Sequence, residues 1–161
     1  MLDVTQKITL VASLAVAAAI DARRGIIPNK IIVTGFSALA ALLAARFIIF
    51  GTASGLRYAV SALLGTVAGG GPILAVIALS KGGMGAGDMK LMAMAGAYIG
   101  PLMAFAVLLV SIMTAGAYAA IMLALRLKTL KSRMAFGPFI AVAGIVIVVI
   151  SRFSPICKIY P

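Results

Sequence analysis

Apolar residues occupy most of the chain, and short polar or glycine-rich breaks divide them into long stretches. Six stretches can be distinguished, at residues 5–20, 31–50, 56–79, 89–99, 102–125 and 136–151. A helix needs about 20 apolar residues to cross a bilayer. The fourth stretch is shorter and crosses only if Asp88 and its flank lie at or inside the membrane surface. The pattern predicts an all-α polytopic membrane protein of about six transmembrane helices in a compact bundle, with residues 1–161 forming one domain.

Small residues recur at spacings that bring helices into close contact. Gly65 and Gly69, and again Gly96 and Gly100, stand four positions apart. Without Cβ atoms, such positions let helix backbones approach closely, so that van der Waals contact drives helix association in lipid. The run of glycines from residue 69 to 71, followed by a proline, predicts either a kink or a very close helix contact there.

The composition supports a membrane protein and removes several chemistries. Hydrophobic residues make up 64% of the chain and charged residues 11%, against about 25% charged in soluble domains, and the mean hydropathy is +1.23. The chain has no His and one Cys, Cys157. Imidazole-activated nucleophiles, Cys-rich metal sites and an internal disulfide are therefore excluded. We expect neither a metal nor a cofactor.

Basic residues far outnumber acidic ones, 14 to three, for a formal net charge of +11. In so apolar a chain this excess favours anionic lipid headgroups as partners, and no basic stretch is long enough to predict binding of nucleic acid. Nine of the 14 adjoin the connections after the first, third and fifth stretches: Arg23, Arg24, Lys30, Lys81, Lys90, Arg126, Lys128, Lys131 and Arg133. The positive-inside rule then predicts three cytoplasmic loops and both termini outside. We interpret residues 1–20 as a retained first span, because a signal peptide needs a basic n-region.

Two of the three acidic residues share the predicted cytoplasmic side. Asp21 follows the first stretch and Asp88 precedes the fourth. Each has a purely structural explanation. Asp21 can pair with a nearby arginine at the lipid interface, and Asp88 can cap the helix that follows. Together, on one side of a protein without His, they suggest a carboxylate pair, because carboxylates near hydrocarbon are costly and tend to be functional.

A carboxylate pair can hydrolyse a peptide bond without a metal. Repulsion between the two charges keeps one proton on the pair. The ionised partner can then activate water while the protonated one polarises the carbonyl. A proton-coupled small transporter that uses both aspartates is the alternative, although transporter sites lie nearer the membrane midplane. A catalytically silent assembly protein is a third possibility.

The neighbours of the two aspartates suit a site that admits a substrate backbone. Gly82, Gly83, Gly85 and Gly87 precede Asp88 and permit close approach. Pro28 and Asn29 follow Asp21 where the chain turns toward the second stretch.

Three blocks of this sequence resemble the type IV prepilin peptidases, the bacterial GxGD membrane aspartic proteases. They are Asp21-Ala-Arg-Arg-Gly-Ile-Ile-Pro28-Asn29, then Gly85-Ala-Gly87-Asp88-Met-Lys90-Leu91, then Phe136-Gly137-Pro138-Phe139-Ile-Ala141. They occur in the family's order across almost the whole chain. Presenilin-like proteases share the GxGD motif, but they carry Tyr before the first aspartate, where this chain has Ile20.

The resemblance implies a single transmembrane peptidase domain with Asp21 and Asp88 as the catalytic pair. Such an aspartic endopeptidase of the bacterial inner membrane would remove the short cytoplasmic leader from type IV prepilins or pseudopilins. Residues that would shape the site are Pro28, Asn29, Gly85, Gly87, Lys90, Phe136, Gly137 and Pro138.

The chain departs from the larger bacterial members of that family, which carry an added cytoplasmic region with paired cysteines linked to N-methylation. Nothing here corresponds to that region, so we expect cleavage without methylation and no use of S-adenosylmethionine. The compact form looks like the short peptidases of tight-adherence (Flp-type) pilus systems. The oligomeric state and the particular pilin are left open by the sequence.

Overall fold

The computed structural model describes residues 2–80, 85–127 and 135–153. These residues form four α-helices, α1 (Leu2–Arg24), α2 (Asn29–Leu79), α3 (Ala86–Ala124) and α4 (Gly137–Phe153), and no strand. The all-α prediction is therefore confirmed for the part of the chain that is described. The positions predicted at Gly82, Gly83, Lys81, Lys128, Lys131, Arg133 and Cys157 lie outside it.

Three helices, α1, α2 and α3, are long and apolar enough to cross a membrane, and α4 has a shorter apolar segment, Gly137–Ser151. This is consistent with a membrane protein, but the predicted count of six spans is not supported. The hydropathy pattern predicted that one span ends at residue 50 and another at residue 99. In the structure, α2 and α3 each consist of two helical segments that meet directly at a kink, at Gly51 in α2 and at Gly100 in α3.

The reason for the difference lies in two glycines inside the long helices. Gly51 (φ 80°, ψ 173°) and Gly100 (φ 78°, ψ 173°) leave the helical conformation within α2 and α3. Glycine adopts positive φ readily, so one residue bends the chain without a polar loop. The bend at Gly51 is sharp. A Cβ on Gly55 would lie 2.5 Å from the ring of Phe47, eight residues away, which a straight helix would hold about 12 Å distant.

Helices α2 and α3 pack closely through small residues, as the spacing predicted. A Cβ on Gly65 would overlap the backbone carbonyl of Gly96, and one on Gly69 would lie 2.5 Å from the carbonyl oxygen of Met92. The glycine run before Pro72 is therefore a close contact, and its backbone stays helical. Contact at this distance replaces the hydrophobic driving force that lipid does not supply.

Helices α1 and α4 pack on this pair and complete the core. Leu10 and Leu14 of α1, Leu91 and Met92 of α3 and Ile140 of α4 are all fully buried. The C-terminal end of α1 and the N-terminal ends of α3 and α4 thereby meet at one end of the bundle. We call this the aspartate end, because it carries Asp21 and Asp88.

A polar network occupies the opposite end of the bundle. Arg46 of α2 is buried and forms an ion pair with Asp3 of α1, and its guanidinium donates to Gln6 Oε1 at 2.9 Å. The same guanidinium lies 3.6 Å from the ring centre of Tyr58. Gln6 in turn donates to the carbonyl of Tyr98 at 2.6 Å. The network ties the first turn of α1 to α2 and α3.

Candidate active site

Asp21 is held by the last turn of α1. Its side chain is 4% exposed, which is unusual for a carboxylate. The helix ends three residues later, at Arg24, because Gly25 (φ 63°) takes a left-handed conformation and its N–H donates to the Asp21 carbonyl at 2.7 Å. A glycine in this position is a common helix stop. The chain then turns inward at buried Ile27 and enters α2 after Pro28.

Asp88 lies in the first turn of α3, where Gly85 precedes the helix. Its N–H donates to the Gly85 carbonyl at 3.1 Å, and its half-buried carboxylate interacts with the N–H of Gly85. A Cβ on Gly85 would stand 3.1 Å from Asp88 Oδ2, a tight contact. Glycine at this position therefore leaves room for the carboxylate beside the start of the helix.

The N-terminus of α4 joins the two aspartates. The N–H of Gly137, the first residue of α4, donates to Asp21 Oδ2 at 3.1 Å, and it also faces the carboxylate of Asp88. Asp88 in turn lies within electrostatic range of Asp21. Two residues 67 positions apart in the chain thus come to one place, beside a backbone donor from a third segment.

Gly137 approaches Asp21 so closely that no side chain fits between them. A Cβ on Gly137 would lie 2.5 Å from Asp21 Oδ2, 3.0 Å from Cγ and 3.3 Å from Cβ. The first N–H groups of a helix have no partner within it and carry partial positive charge. The Asp21 carboxylate therefore satisfies one of these groups in α4, while Asp88 lies at the corresponding end of α3.

The connection between α1 and α2 is fastened to the first turn of α3. Lys90 Nζ donates to Asn29 Oδ1 at 3.0 Å. A Cβ on Gly87 would lie 3.3 Å from Cβ of Ile27, so this glycine lets the connection pack against α3. Pro28 has φ −65° and ψ 130°, the extended conformation that leads into α2. These contacts fix the position of α1's end relative to Asp88.

The remaining predicted site residues form the start of α4. The carbonyl of Phe136 accepts hydrogen bonds from the N–H groups of Phe139 (3.0 Å) and Ile140 (3.2 Å), which begins the helix. The Phe136 side chain packs partly buried against the core. Pro138 occupies the first turn, where its missing N–H costs no helical hydrogen bond. These two residues orient the Gly137 N–H.

Two features escaped the sequence analysis. The first is the part played by the Gly137 N–H, for which the only signal was a Gly-Pro pair before an apolar run. The second is Arg46, which no sequence motif singled out and which is buried in the structure, with 2% of its surface exposed. Among the described residues, no three acidic or cysteine side chains cluster so as to hold a metal ion.

The fold and this site together define a helical protein with segments long and apolar enough to span a membrane and with two carboxylates close together at one end of the bundle. A comparison with models of protein families matches residues 8–121 to the type IV leader peptidase family. The match covers more than half of the chain, so the protein belongs to that family, which confirms the resemblance and indicates a protease. No curated protein and no solved structure matches the chain. The matched range includes Asp21 and Asp88, whereas Gly137 lies beyond it.

Proposed function

We propose that this protein is an aspartic endopeptidase that removes the short cytoplasmic leader from type IV, Flp-like prepilins or pseudopilins. Asp21 and Asp88 are the catalytic pair. The observation that supports this most is the position of the Gly137 N–H, which hydrogen-bonds Asp21 and faces Asp88. Three distant segments of a leader peptidase family member converge there on two carboxylates.

The chemistry needs only one proton on the pair. The ionised carboxylate removes a proton from water as the water oxygen attacks the scissile carbonyl carbon, and the protonated carboxyl donates to the carbonyl oxygen. Collapse of the tetrahedral intermediate breaks the C–N bond, and the leaving amine takes up a proton from the pair. The two groups titrate as a unit, so the roles of base and acid belong to the pair.

The surroundings of the pair favour a state in which one carboxyl group is ionised and the other is protonated. The burial of Asp21 and its closeness to Asp88 make two negative charges costly. The helix N-termini of α3 and α4 point partial positive charge at the site, which stabilises the single negative charge that remains. Because Gly137 holds Asp21 through a backbone group, the carboxylate is positioned before substrate arrives.

The site lies at the membrane surface in this proposal. Asp21 is followed within three residues by the exposed Arg23 and Arg24, which mark the end of α1 as an interfacial position. The apolar segment of the prepilin stays in lipid while its leader crosses the aspartates, so that association of helices supplies much of the orientation. The distribution of cations supports a cytoplasmic position for this end, with both termini outside, in a bacterial inner membrane.

Recognition of the leader does not come from the cations of this face. Prepilin leaders are commonly basic, and the described aspartate end carries Arg23, Arg24, Lys30 and Lys90. Within this described end, only the carboxylates of Asp21 and Asp88 can attract a basic leader electrostatically. Removal of the leader without methylation of the new amino terminus stays a prediction of the sequence.

Co-expression with an Flp-type prepilin tests the proposal. Asp21→Asn and Asp88→Asn keep the side-chain size but remove the ionisable group, and both are expected to leave the prepilin uncut, as judged by electrophoretic mobility and N-terminal sequencing. Asp3→Asn is the matched control, since it removes the third aspartate at the opposite end of α1 and keeps an oxygen for Arg46. Normal processing by Asp88→Asn would reject the proposal. A lost solute gradient with processing unchanged would favour the transporter.

A further inference from the structure

The opposite end of the bundle encloses a cavity that the protease site does not use. Its volume is about 570 Å³, and residues from all four helices line it, from Asp3 at the start of α1 to Ser151 near the end of α4. Asp3 and Asp21 are 18 residues apart on one helix, or about 27 Å at 1.5 Å per residue. A volume of this size falls within the range of small-molecule sites.

Among the described residues that line the cavity, one cation, Lys7, has no carboxylate partner. Lys7 lines the cavity, and its Nζ donates to Ser151 Oγ at 3.4 Å. The Ser151 hydroxyl itself donates to the Val148 carbonyl at 2.8 Å. Within residues 2–80, 85–127 and 135–153, no carboxylate forms an ion pair with Lys7. An ammonium group has three protons, so Lys7 retains protons for a further acceptor.

Asp3 is the one acidic side chain in the described lining of the cavity, and it already has a partner. Asp3 lines the mouth, but its carboxylate forms an ion pair with the buried Arg46. The guanidinium of Arg46 also contacts Gln6 and the ring of Tyr58. This network cancels the charge of Asp3, so that Lys7 gives the described lining of the cavity a net positive charge. An anion is therefore attracted and not repelled.

The floor of the cavity is apolar. Leu10, Leu39, Leu43, Ala62 and Val148 line it below the polar residues. A molecule that fits both the positively charged mouth and the apolar floor has an anionic head and a hydrocarbon tail. At the end of a bundle of membrane-spanning helices, such a molecule is a lipid of the surrounding leaflet.

We propose that this cavity binds one anionic phospholipid, in the leaflet opposite to the protease site. Lys7 contacts the phosphate, the hydroxyls of Tyr58 and Ser61 lie beside the headgroup, and the first part of an acyl chain lies along the apolar floor. The bound lipid fills the space where α1 and α4 meet the bend of α3 at Gly100.

Native mass spectrometry of the full-length protein, purified in detergent and supplied with defined lipids, tests this proposal. Wild type is expected to retain one phosphatidylglycerol at least ten times more strongly than phosphatidylcholine, since the choline group finds no acid that is not already paired. Lys7→Gln is expected to bind phosphatidylglycerol about tenfold more weakly, the loss of one charge-assisted contact. Arg57→Gln is the control, because Arg57 is exposed near the same end but does not line the cavity.

Three outcomes would overturn the proposal. Equal retention of the two lipids by wild type removes the anionic preference, and this comparison does not depend on any variant. Equal loss in Lys7→Gln and Arg57→Gln shows only a general surface charge effect. A melting temperature raised as much by inorganic phosphate as by phosphatidylglycerol assigns the cavity to a free anion. Prepilin cleavage by Lys7→Gln at the wild-type rate shows that this variant is folded.

Discussion

Replacement of Gly137 by Ala is the smallest change that disturbs the two aspartates without touching either one. The added Cβ would lie 2.5 Å from Asp21 Oδ2 and 3.0 Å from Cγ. Normal contacts between such atoms begin near 3.4 Å, so the carboxylate must move by about 0.9 Å or the start of α4 must withdraw. The backbone of Gly137 is not in the positive-φ region, so Ala adds no backbone strain there.

The expected effect on catalysis is large. A misplacement of about 1 Å at a reacting group lowers the rate about 100-fold. Weakening of the Gly137 N–H bond to a charged acceptor acts in the same direction. The fold is expected to survive, because Ala favours a helix more than Gly does. We therefore expect kcat/KM to fall about 100-fold while the melting temperature changes by a few degrees at most.

The assay is cleavage of a purified prepilin by the reconstituted protease, with initial rates at several substrate concentrations. Gly116→Ala is the matched control, since Gly116 lies in α3 with no atom within 4 Å of an added Cβ, and it should retain the wild-type rate. Cleavage by Gly137→Ala within threefold of wild type would refute the claim that the start of α4 positions Asp21.

Three further predictions concern other parts of the structure. Lys90→Met removes the hydrogen bond that fastens the α1–α2 connection and should lower kcat several-fold in the same assay, whereas Lys30→Met should not; equal rates would contradict this. Gly65→Ala drives a Cβ into the carbonyl of Gly96 and should destabilise the bundle by about 1–3 kcal/mol in unfolding measurements, while Gly71→Ala, with 3.8 Å of room, should be neutral. The pH dependence of kcat/KM should be bell-shaped with two apparent pKa values, and a single sigmoid would argue against a coupled pair.

That Asp21 and Asp88 lie at the same end of the bundle was predictable, because the chain has so few acidic residues. With only three aspartates in the chain, a carboxylate pair on one side of the membrane could be formed only by Asp21 and Asp88, and their neighbours carried the family resemblance. The contact between Gly137 and Asp21 was not predictable in this way. It depends on how α4 packs against α1, and no local pattern in the sequence reports the distance between two helix ends.

The predicted count of six spans is not supported for a related reason. Hydropathy locates apolar stretches well, but whether a glycine ends a helix or bends it depends on the conformation that packing imposes. At Gly51 and Gly100 the backbone departs from the helix at one residue, and the helix resumes at once. The buried Arg46 was missed similarly, since its partners Asp3 and Gln6 lie more than 39 positions away along the chain.

A double-mutant cycle measures directly whether Asp21 and Asp88 act as one catalytic unit. Single-turnover cleavage of a purified prepilin is compared for wild type, Asp21→Asn, Asp88→Asn and the doubly substituted protein. The account predicts that each single change lowers the rate by about 10³-fold or more, and that the double change costs no more than either one. Losses that multiply, or a single variant that still cleaves at a rate close to wild type, would contradict it.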